Sequence, residues 1–190
     1  EAAAELLLGF RSPSGKLPVT FPRRWQDTPA FVTYPGADGI APYSEGVLVG
    51  YRWYDQDEID PLFPFGYGLS YTTFAYRDLQ VTPGSPAAGE PVTVSFEVSN
   101  TGSVTAAEVA QVYVSDPKTS VSRPPSELKA FAKVLLKPGE TQTVTLTLGP
   151  EAFAFWDVIR DDWYVEPGSF QIKVGGSSRN LGLTAEIRIK

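Results

Sequence analysis

The fold of this chain is decided by one stretch, Asn100-Thr101-Gly102-Ser103-Val104-Thr105-Ala106-Ala107-Glu108-Val109-Ala110-Gln111-Val112-Tyr113-Val114-Ser115-Asp116. The polar turn at its start, Asn100 to Ser103, follows one alternating apolar run and leads into another. Turn chemistry at Asn and Gly followed by burial with a period of two is typical of antiparallel strands. The stretch therefore predicts neighbouring strands of a β-sandwich.

Similar alternating runs continue on both sides of this stretch, from Tyr76 to the end of the chain. We predict strands at Tyr76–Thr82, Val92–Ser99, Glu108–Ser115, Leu128–Leu136, Thr141–Leu148, Ala152–Trp156, Trp163–Glu166, Phe170–Val174 and Leu181–Ile189. Pro-Gly pairs such as Pro83-Gly84 and Pro138-Gly139 supply turns between them. About seven main strands in such a length is the number expected of a fibronectin-like sandwich.

The first part of the chain follows a different pattern. Glu1 to Leu8 predicts a helix that ends at Gly9 and buries its leucines. The region from Arg23 to Asp60 is rich in aromatic residues, Pro and Gly without sustained periodicity, and Val47–Tyr54 is its one predicted strand. A region of this kind cannot easily form a hydrophobic core by itself, so we expect it to pack on the surface of a larger part of the protein. The prolines and aromatic residues of Pro61–Phe74 predict a stiff linker that packs against the rest of the protein.

Composition narrows the classes of function. The 190 residues include 16 basic and 22 acidic side chains, giving a net charge of −6, and no Lys/Arg cluster dense enough to follow a phosphate backbone. We therefore expect no nucleic-acid partner, and the apolar runs are too short to predict a membrane span. Cysteine and histidine are absent, which excludes thiolate and histidine chemistry within this chain. Methionine is absent too, and together with an opening that resembles the middle of a helix this predicts a fragment or processed product.

Several stretches, in order along nearly the whole chain, resemble the carboxy-terminal third of the family-3 glycoside hydrolases, above all bacterial β-glucosidases. They are Pro13–Pro22, Glu45–Asp55, Pro64–Phe74, Arg123–Phe131, Trp156–Gly168 and Val174–Arg179. The resemblance implies a mainly β fold: a fibronectin type III-like (immunoglobulin-like) β-sandwich, preceded by the C-terminal remnant of an α/β-sandwich domain. We expect the remnant at residues 1–60, a linker at 61–75 and the sandwich at 76–190.

The resemblance also implies a retaining mechanism, in which an Asp nucleophile from a (β/α)₈ barrel and a Glu acid/base cleave the glycosidic bond. The nucleophile of the family lies in a Ser-Asp-Trp context, which this chain lacks, and only Glu1 and Glu5 precede the Ser14–Pro18 segment. No catalytic, cofactor-binding or metal-binding residue is therefore predicted here. The expected partner is the N-terminal catalytic portion of the same enzyme, and through it a β-glucoside substrate.

Clusters of acidic and aromatic residues admit more than one interpretation. The run Asp55, Asp57, Glu58 and Asp60 follows Trp53 and Tyr54, so it fits either a glycosidase carboxylate pair or, as we favour, a solvated loop. Trp156 and Trp163 flank another carboxylate-rich loop. For Trp156, as for Phe153 and Phe155, we favour core or edge packing over a sugar-contacting platform, whereas Trp163 is expected to be partly exposed.

Three further features bear on how the parts of the chain contact each other. Arg52 is expected to stack on an aromatic ring or to pair with a carboxylate at the domain junction, with direct binding of sugar hydroxyls at the edge of the active site as the alternative. Arg123 and Glu127 are expected to form a local ion pair or a cap at a strand entry, which is weak if exposed. The aromatic residues of the linker predict an interdomain interface; they are Phe63, Phe65, Tyr67 and Tyr71.

The sequence leaves two hypotheses for function. The first is a structural C-terminal region of a β-glucosidase-like enzyme, inactive by itself. The alternative is a free-standing carbohydrate-binding or adhesion module of fibronectin type. The first 74 residues favour the enzyme, because an autonomous module has no need of a Pro-rich extended segment and a docking linker.

Overall fold

A two-layer β-sandwich forms the larger part of the structure, a computed structural model that describes residues 2–190. One layer has three antiparallel strands in the order β1 (Phe74–Thr82), β2 (Val92–Asn100) and β5 (Thr141–Leu148). The other has four, in the order β4 (Glu127–Leu136), β3 (Ala106–Ser115), β8 (Gly168–Gly175) and β9 (Leu183–Ile189). The predicted sandwich is confirmed, with strand ends within a few residues of those expected.

The core lies between these two layers and follows the alternation of the sequence. In β2 the residues Val92, Val94, Phe96 and Val98 are buried, whereas Thr93 is exposed. In β5 the threonines at 143, 145 and 147 face solvent while Val144 and Leu148 are buried. Period-two burial on one face of each sheet is what fixes the register of antiparallel strands.

A short hairpin extends beside the main sheets. It consists of β6 (Phe155–Asp157) and β7 (Asp162–Tyr164), which follow a 3₁₀ turn at Pro150–Ala152. The predicted strand Ala152–Trp156 is therefore wrong in its first half. Pro150 starts the turn, and the 3₁₀ hydrogen bond from the N–H of Phe153 to the carbonyl of Pro150 ends it, so extended pairing begins only at Phe155.

Residues 2–73, which we call the arm, contain only two short α-helices, α1 (Ala2–Leu7) and α2 (Tyr51–Gln56), and 3₁₀ turns at Trp25–Asp27 and Pro29–Val32. The predicted N-terminal helix is present over the described residues, and Gly9 after it has φ +75°. Its first residue, Glu1, lies outside the described residues. Its leucines are not buried by residues of this chain, since Leu7 is 85% exposed, so their packing on a further part of the protein stays a prediction.

The strand predicted at Val47–Tyr54 is also wrong. Gly50 has φ 60°, which interrupts the extended run, and the chain then forms α2. Tyr51 and Tyr54, two of the aromatic residues that suggested a strand, are three positions apart in this helix. They therefore lie on one face, and Tyr54 is buried. Tertiary contact of that face outweighs the β propensity of Tyr, Trp and Val.

Candidate functional site

The arm lies on the outer face of the four-stranded sheet, and this contact, which we call the seam, is the main polar site of the molecule. Gln111 and Tyr113 are buried although they point away from the core. Gln111 Nε2 donates to the carbonyl oxygens of Gly66 in the arm, at 3.1 Å, and of Gly176, at 2.8 Å. The Tyr113 hydroxyl donates to Gln111 Oε1 at 2.7 Å. One glutamine of β3 thus joins the arm to the residue that directly follows β8.

Aromatic rings form the apolar part of the seam. Phe65 stacks on Tyr51 with ring centroids 4.7 Å apart, and Tyr51 meets Tyr113 edge to face at 6.0 Å. The Tyr51 hydroxyl accepts a hydrogen bond from the backbone N–H of Leu128 at 2.8 Å. Ring contacts of this geometry stabilise beyond the area they bury. The linker and α2 are therefore fixed to the sheet by the same tyrosine.

A lysine of the arm is bound to a buried carboxylate of β3. Lys16 Nζ donates to Glu108 Oε1 at 3.0 Å and to the carbonyl of Gly176 at 3.1 Å. The Tyr76 hydroxyl donates to the same carboxylate oxygen at 2.7 Å. Burial, followed by the negative charge of Glu108, raises the pKa of Tyr76 far above its usual range, so this hydroxyl remains a donor.

An arginine of the sandwich holds the far end of α2. Arg179 Nε contacts Asp55 Oδ1 at 2.6 Å, and its Nη2 donates to the carbonyls of Tyr54 and Ile59 at 2.7 and 3.1 Å. Burial raises the pKa of Asp55 and outweighs the lowering effect of Arg179. The pair therefore acts as a clamp between the two regions and carries a desolvation cost.

A second charged network lies where α2 approaches β4. The carboxylate oxygens of Glu127 form ion pairs with the side-chain nitrogens of Arg123 at 2.9 Å, Arg52 at 3.3 Å and Lys129 at 3.5 Å. Arg123 Nη1 also lies 3.7 Å from Asp116 Oδ2. Burial raises the pKa of Glu127, but the hydrogen bond from Arg123 and the surrounding cations outweigh it, so the net shift is downward. Burial lowers the pKa of Lys129. Three cations thus hold one carboxylate in its charged form.

Both arginine predictions are confirmed by this network. Arg52 pairs with a carboxylate across the seam, and Arg123 pairs with Glu127. The Arg123 side chain is only 6% exposed, so the pair lies in the interior and the weak contribution expected of an exposed pair does not apply to it. Its guanidinium also donates to the carbonyl of Phe153 at 2.8 Å.

The structure divides the acidic run after Trp53 into two kinds of residue. Asp57, Glu58 and Asp60 are exposed, as the favoured interpretation of a solvated loop required. For Asp55 that interpretation is wrong, because its side chain is 12% exposed and bound to Arg179. The carboxylate of Asp55 is therefore a structural contact of the seam.

The expected core position of Trp156 is wrong. The side chain is 47% exposed, and it faces Trp163, 63% exposed, across the hairpin with ring centroids 5.8 Å apart. The inward face of the hairpin is occupied by the opposite pair, Phe155 and Tyr164. Phe153 fills the core instead, packing on Phe170 at 5.4 Å. Partial exposure of Trp163 is confirmed.

The four aromatic residues of the linker do not share one outward face. Phe65 is directed into the seam, and Phe63 stacks with Tyr67 at 5.3 Å. Tyr71 is half-exposed and its hydroxyl donates to the carbonyl of Leu6 at 2.7 Å. The predicted interface is thus partly an interface within this chain.

Sequence reasoning missed the polar residues that hold the seam: Lys16, Glu108, Gln111 and Arg179. One signal was available in β3, where Val109 to Val114 is almost continuously apolar around a single Gln. A strand covered on both faces shows such a run, whereas a half-exposed strand alternates. The isolated Gln111 marks the point where the covering layer needs hydrogen bonds.

No group of three or more His, Cys, Asp or Glu side chains in residues 2–190 lies close enough together to hold a metal ion. None of the helices in this range combines the length and apolar character of a membrane span.

Comparison with known proteins identifies both regions. Residues 1–71 match the glycosyl hydrolase family 3 C-terminal domain, and residues 108–178 match the fibronectin type III-like domain. Thermostable beta-glucosidase B of Acetivibrio thermocellus is 46% identical over 99% of this chain and 25% of its own length. Beta-glucosidase BoGH3A of Bacteroides ovatus is 43% identical over 95% of this chain and 25% of its own length.

Solved structures agree with these matches. A GH3 beta-glucosidase of Bifidobacterium adolescentis superposes with a TM-score of 0.94 and 43% identity, over 99% of this chain and 27% of the solved one. Beta-glucosidase 3B of Thermotoga neapolitana superposes with a TM-score of 0.88 and 42% identity, over 98% of this chain and 26% of the solved one. The chain spans about a quarter of the length of the relatives it matches. It belongs to family 3 of the glycoside hydrolases, as the C-terminal part of such an enzyme.

Proposed function

We propose that this chain is the structural C-terminal region of a retaining β-glucosidase, which hydrolyses terminal β-D-glucosyl residues with a nucleophile and an acid/base that lie outside residues 1–190. The names of the relatives support the activity, since those matched over nearly the whole of this chain are β-glucosidases. The carboxylates of the seam support the structural role, because Asp55, Glu108 and Glu127 are all engaged by cations of this chain.

The observation that carries the proposal is the unequal covering of the arm. Its seam residues are held by hydrogen bonds and ion pairs, whereas large apolar side chains elsewhere in the arm are exposed to solvent. These side chains are Leu7 (85% exposed), Leu8 (69%), Phe10 (76%), Val32 (82%), Tyr34 (68%), Ile40 (69%) and Tyr43 (83%). A series of this kind marks an interaction surface. We propose that the catalytic portion of the enzyme covers it.

The arm and the sandwich would then have different roles. In this proposal residues 1–60 complete the α/β-sandwich domain of the enzyme, residues 61–75 connect it, and residues 76–190 form a sandwich that folds by itself. Limited proteolysis of the isolated chain should leave a resistant core that begins between Leu69 and Tyr76. A resistant core that begins near the N-terminus of the chain would contradict this division.

Activity in the presence and absence of the catalytic portion tests the proposed function. The purified 190-residue chain should not hydrolyse an aryl β-glucoside, and neither should the separate portion that carries the barrel. Mixing the two should restore turnover if they associate. Hydrolysis by the isolated chain, persisting after any co-purified fragment has been removed, would overturn the structural role. A reassembled complex that is inactive on every β-glucoside would overturn the assigned activity.

We expect no nucleic-acid or membrane partner for this region, and the net charge of −6 supports the first of these expectations. The alternative of a free-standing module has no support from the relatives, which contain the arm as well as the sandwich within a longer chain.

A further inference from the structure

The hairpin β6–β7 presents two indoles outward on a rigid support. Trp156 and Trp163 are cross-strand partners, 47% and 63% exposed. On the other face of the hairpin, Phe155 and Tyr164 meet edge to face at 5.8 Å, and Arg160 lies 4.2 Å from the ring of Tyr164. The indoles are thus held in place from behind while a large part of their surface remains in water.

These indoles form one wall of a cleft of about 510 Å³. This volume lies within the range of about 300–1,000 Å³ that small-molecule sites occupy. The remainder of the lining, which we call the opposite wall, comes from the arm at Val47 and Arg52, from the loop between β3 and β4 at Val121 to Pro124, and from β4 at Glu127 and Lys129. Glu151, Ala154 and Phe155 complete the lining beside the hairpin. The cleft therefore includes residues of both the arm and the sandwich.

The polar groups of the opposite wall are fixed and still accessible. The side chains of Arg52, Lys129 and Glu127 are 33%, 18% and 13% exposed. Their mutual ion pairs hold them in position, and an arginine keeps further N–H donors once one carboxylate is bound. A fixed carboxylate flanked by fixed donors can bind neighbouring hydroxyl groups without paying to order long side chains.

An aromatic wall facing a wall of fixed donors and acceptors matches the chemistry of a sugar. A pyranose whose hydroxyls are all equatorial has an apolar face of C–H groups and a rim of hydroxyls. The face packs on an indole, and the rim exchanges hydrogen bonds with charged side chains. An apolar protein segment would instead be favoured by two apolar walls.

We propose that this cleft is a carbohydrate-binding site for neutral β-linked gluco-oligosaccharides, with one ring on Trp156 or Trp163 and its hydroxyls on Arg52, Glu127 and Lys129. The site binds sugar without cleaving it. The choice of sugar rests on the proposed β-glucosidase function, whereas the existence of the site rests on the geometry of the cleft.

Binding of cellotetraose and laminaritetraose to the 190-residue chain tests the proposal, by titration calorimetry and tryptophan fluorescence. Saturable binding is expected, and Trp156→Ala and Trp163→Ala should each weaken it by about tenfold or more, since a stacked ring is lost. Trp163→Phe should retain part of the affinity. The matched control is Trp25→Ala, which removes an equally exposed indole, 54%, from the arm and should leave binding unchanged.

Two results would overturn the proposal: no saturable binding of either probe, or equal binding by the parent chain, Trp156→Ala and Trp163→Ala. If adding the catalytic portion shielded the two indoles from solvent and no sugar bound, the hairpin would be a protein contact instead. The hydrolysis of a small aryl β-glucoside by the reassembled enzyme separates the two ideas, because it does not need the cleft. An active enzyme whose cleft binds no sugar contradicts this inference alone, and a cleft that binds sugar within an inactive enzyme contradicts the proposed activity alone.

Discussion

The arm and the sandwich use the same kinds of large apolar residue with opposite results. In the sandwich Phe96 and Phe170 are 1% and 0% exposed, whereas in the arm Phe10 and Tyr43 are 76% and 83% exposed. The difference lies in the backbone. The strands of the sandwich pair with each other and present one face to a common core, but the arm has short helices and turns with no second layer of their own.

The arm is attached in a correspondingly different way. Its seam depends on directional contacts from Lys16, Gln111 and Arg179, together with the stack of Phe65 on Tyr51. The core of the sandwich depends on non-directional burial, which tolerates local rearrangement. The sandwich is therefore stabilised mainly by packing, and the attachment of the arm mainly by a few specific polar contacts and one aromatic stack.

Truncation in the core should give the largest effect. Phe96→Ala removes a ring that is 1% exposed and should lower the free energy of unfolding by about 3–5 kcal/mol, because transfer and cavity costs add. Urea denaturation monitored by circular dichroism measures it. The control is Phe131→Ala in β4 of the same sandwich, where the ring is 65% exposed and a change within about 0.5 kcal/mol is expected. Equal losses for the two variants would contradict a core between the sheets.

Removal of the clamp should affect the arm and spare the sandwich. Arg179→Met breaks the contact with Asp55 and leaves the carbonyls of Tyr54 and Ile59 without this donor. We expect the local stability of α2 to fall by about 1.5–3 kcal/mol, as for hydrogen bonds to charged groups. Amide hydrogen exchange should show faster exchange in Tyr51–Gln56 and unchanged exchange in β2.

The control for the clamp is Arg188→Met in β9, an exposed arginine whose side chain forms no ion pair with any residue of the described range 2–190. It should alter neither region. Uniformly faster exchange throughout the chain in Arg179→Met would show that the arm and the sandwich unfold as one unit, and the comparison between them would fail.

Two partly buried carboxylates of the seam, Asp55 and Glu127, should respond to pH in opposite directions. The pKa of Glu127 is lowered in the folded chain, so its contribution to stability is present above the ordinary pKa of a glutamate and is lost as the pH falls through the lowered value. The pKa of Asp55 is raised, so the folded chain holds this proton more tightly. Its ionisation therefore costs stability as the pH rises from the ordinary toward the raised value.

Unfolding free energies measured over the acid range test this contrast. The destabilisation caused by Glu127→Gln should be greatest at neutral pH and should shrink as the pH falls. Asp55→Asn, relative to the parent chain, should become more favourable as the pH rises. If the change in unfolding free energy varied with pH in the same way for both variants, the predicted contrast would be wrong. The three cations around Glu127 would then affect its carboxylate no differently from the way the single arginine affects Asp55.

The smallest effect on this chain is expected at the outer surface of the arm. Phe10→Ser changes a side chain that is 76% exposed, so the isolated chain should keep its stability within about 0.5 kcal/mol. The same change should weaken association with the catalytic portion, measured by titration calorimetry or by the concentration needed to restore hydrolysis. Ser14→Ala, a small change on the arm, serves as the control. Unchanged association in Phe10→Ser would remove this residue from the proposed interface.

The sequence predicted the sandwich well because its signals are local. The alternation of Val144, Leu146 and Leu148 with threonines needs only the two-residue period of a strand to be interpreted. Two of the errors, at Val47–Tyr54 and at Trp156, arose where propensity and tertiary contact disagree. Aromatic residues favour strands and cores on average, but the average does not say which of two adjacent aromatic residues, such as Phe155 and Trp156, faces inward.

The sequence by itself determined the fold class, the family resemblance and the approximate positions of the main strands along the chain, because periodicity, turn residues and motifs are properties of neighbouring positions. Only the tertiary structure decided the seam. Lys16 and Glu108 lie 92 positions apart and Asp55 and Arg179 still farther, and no local pattern records which distant charge a side chain meets. Burial then sets what each pairing does to the pKa and to stability, and burial exists only once the arm lies on the sheet.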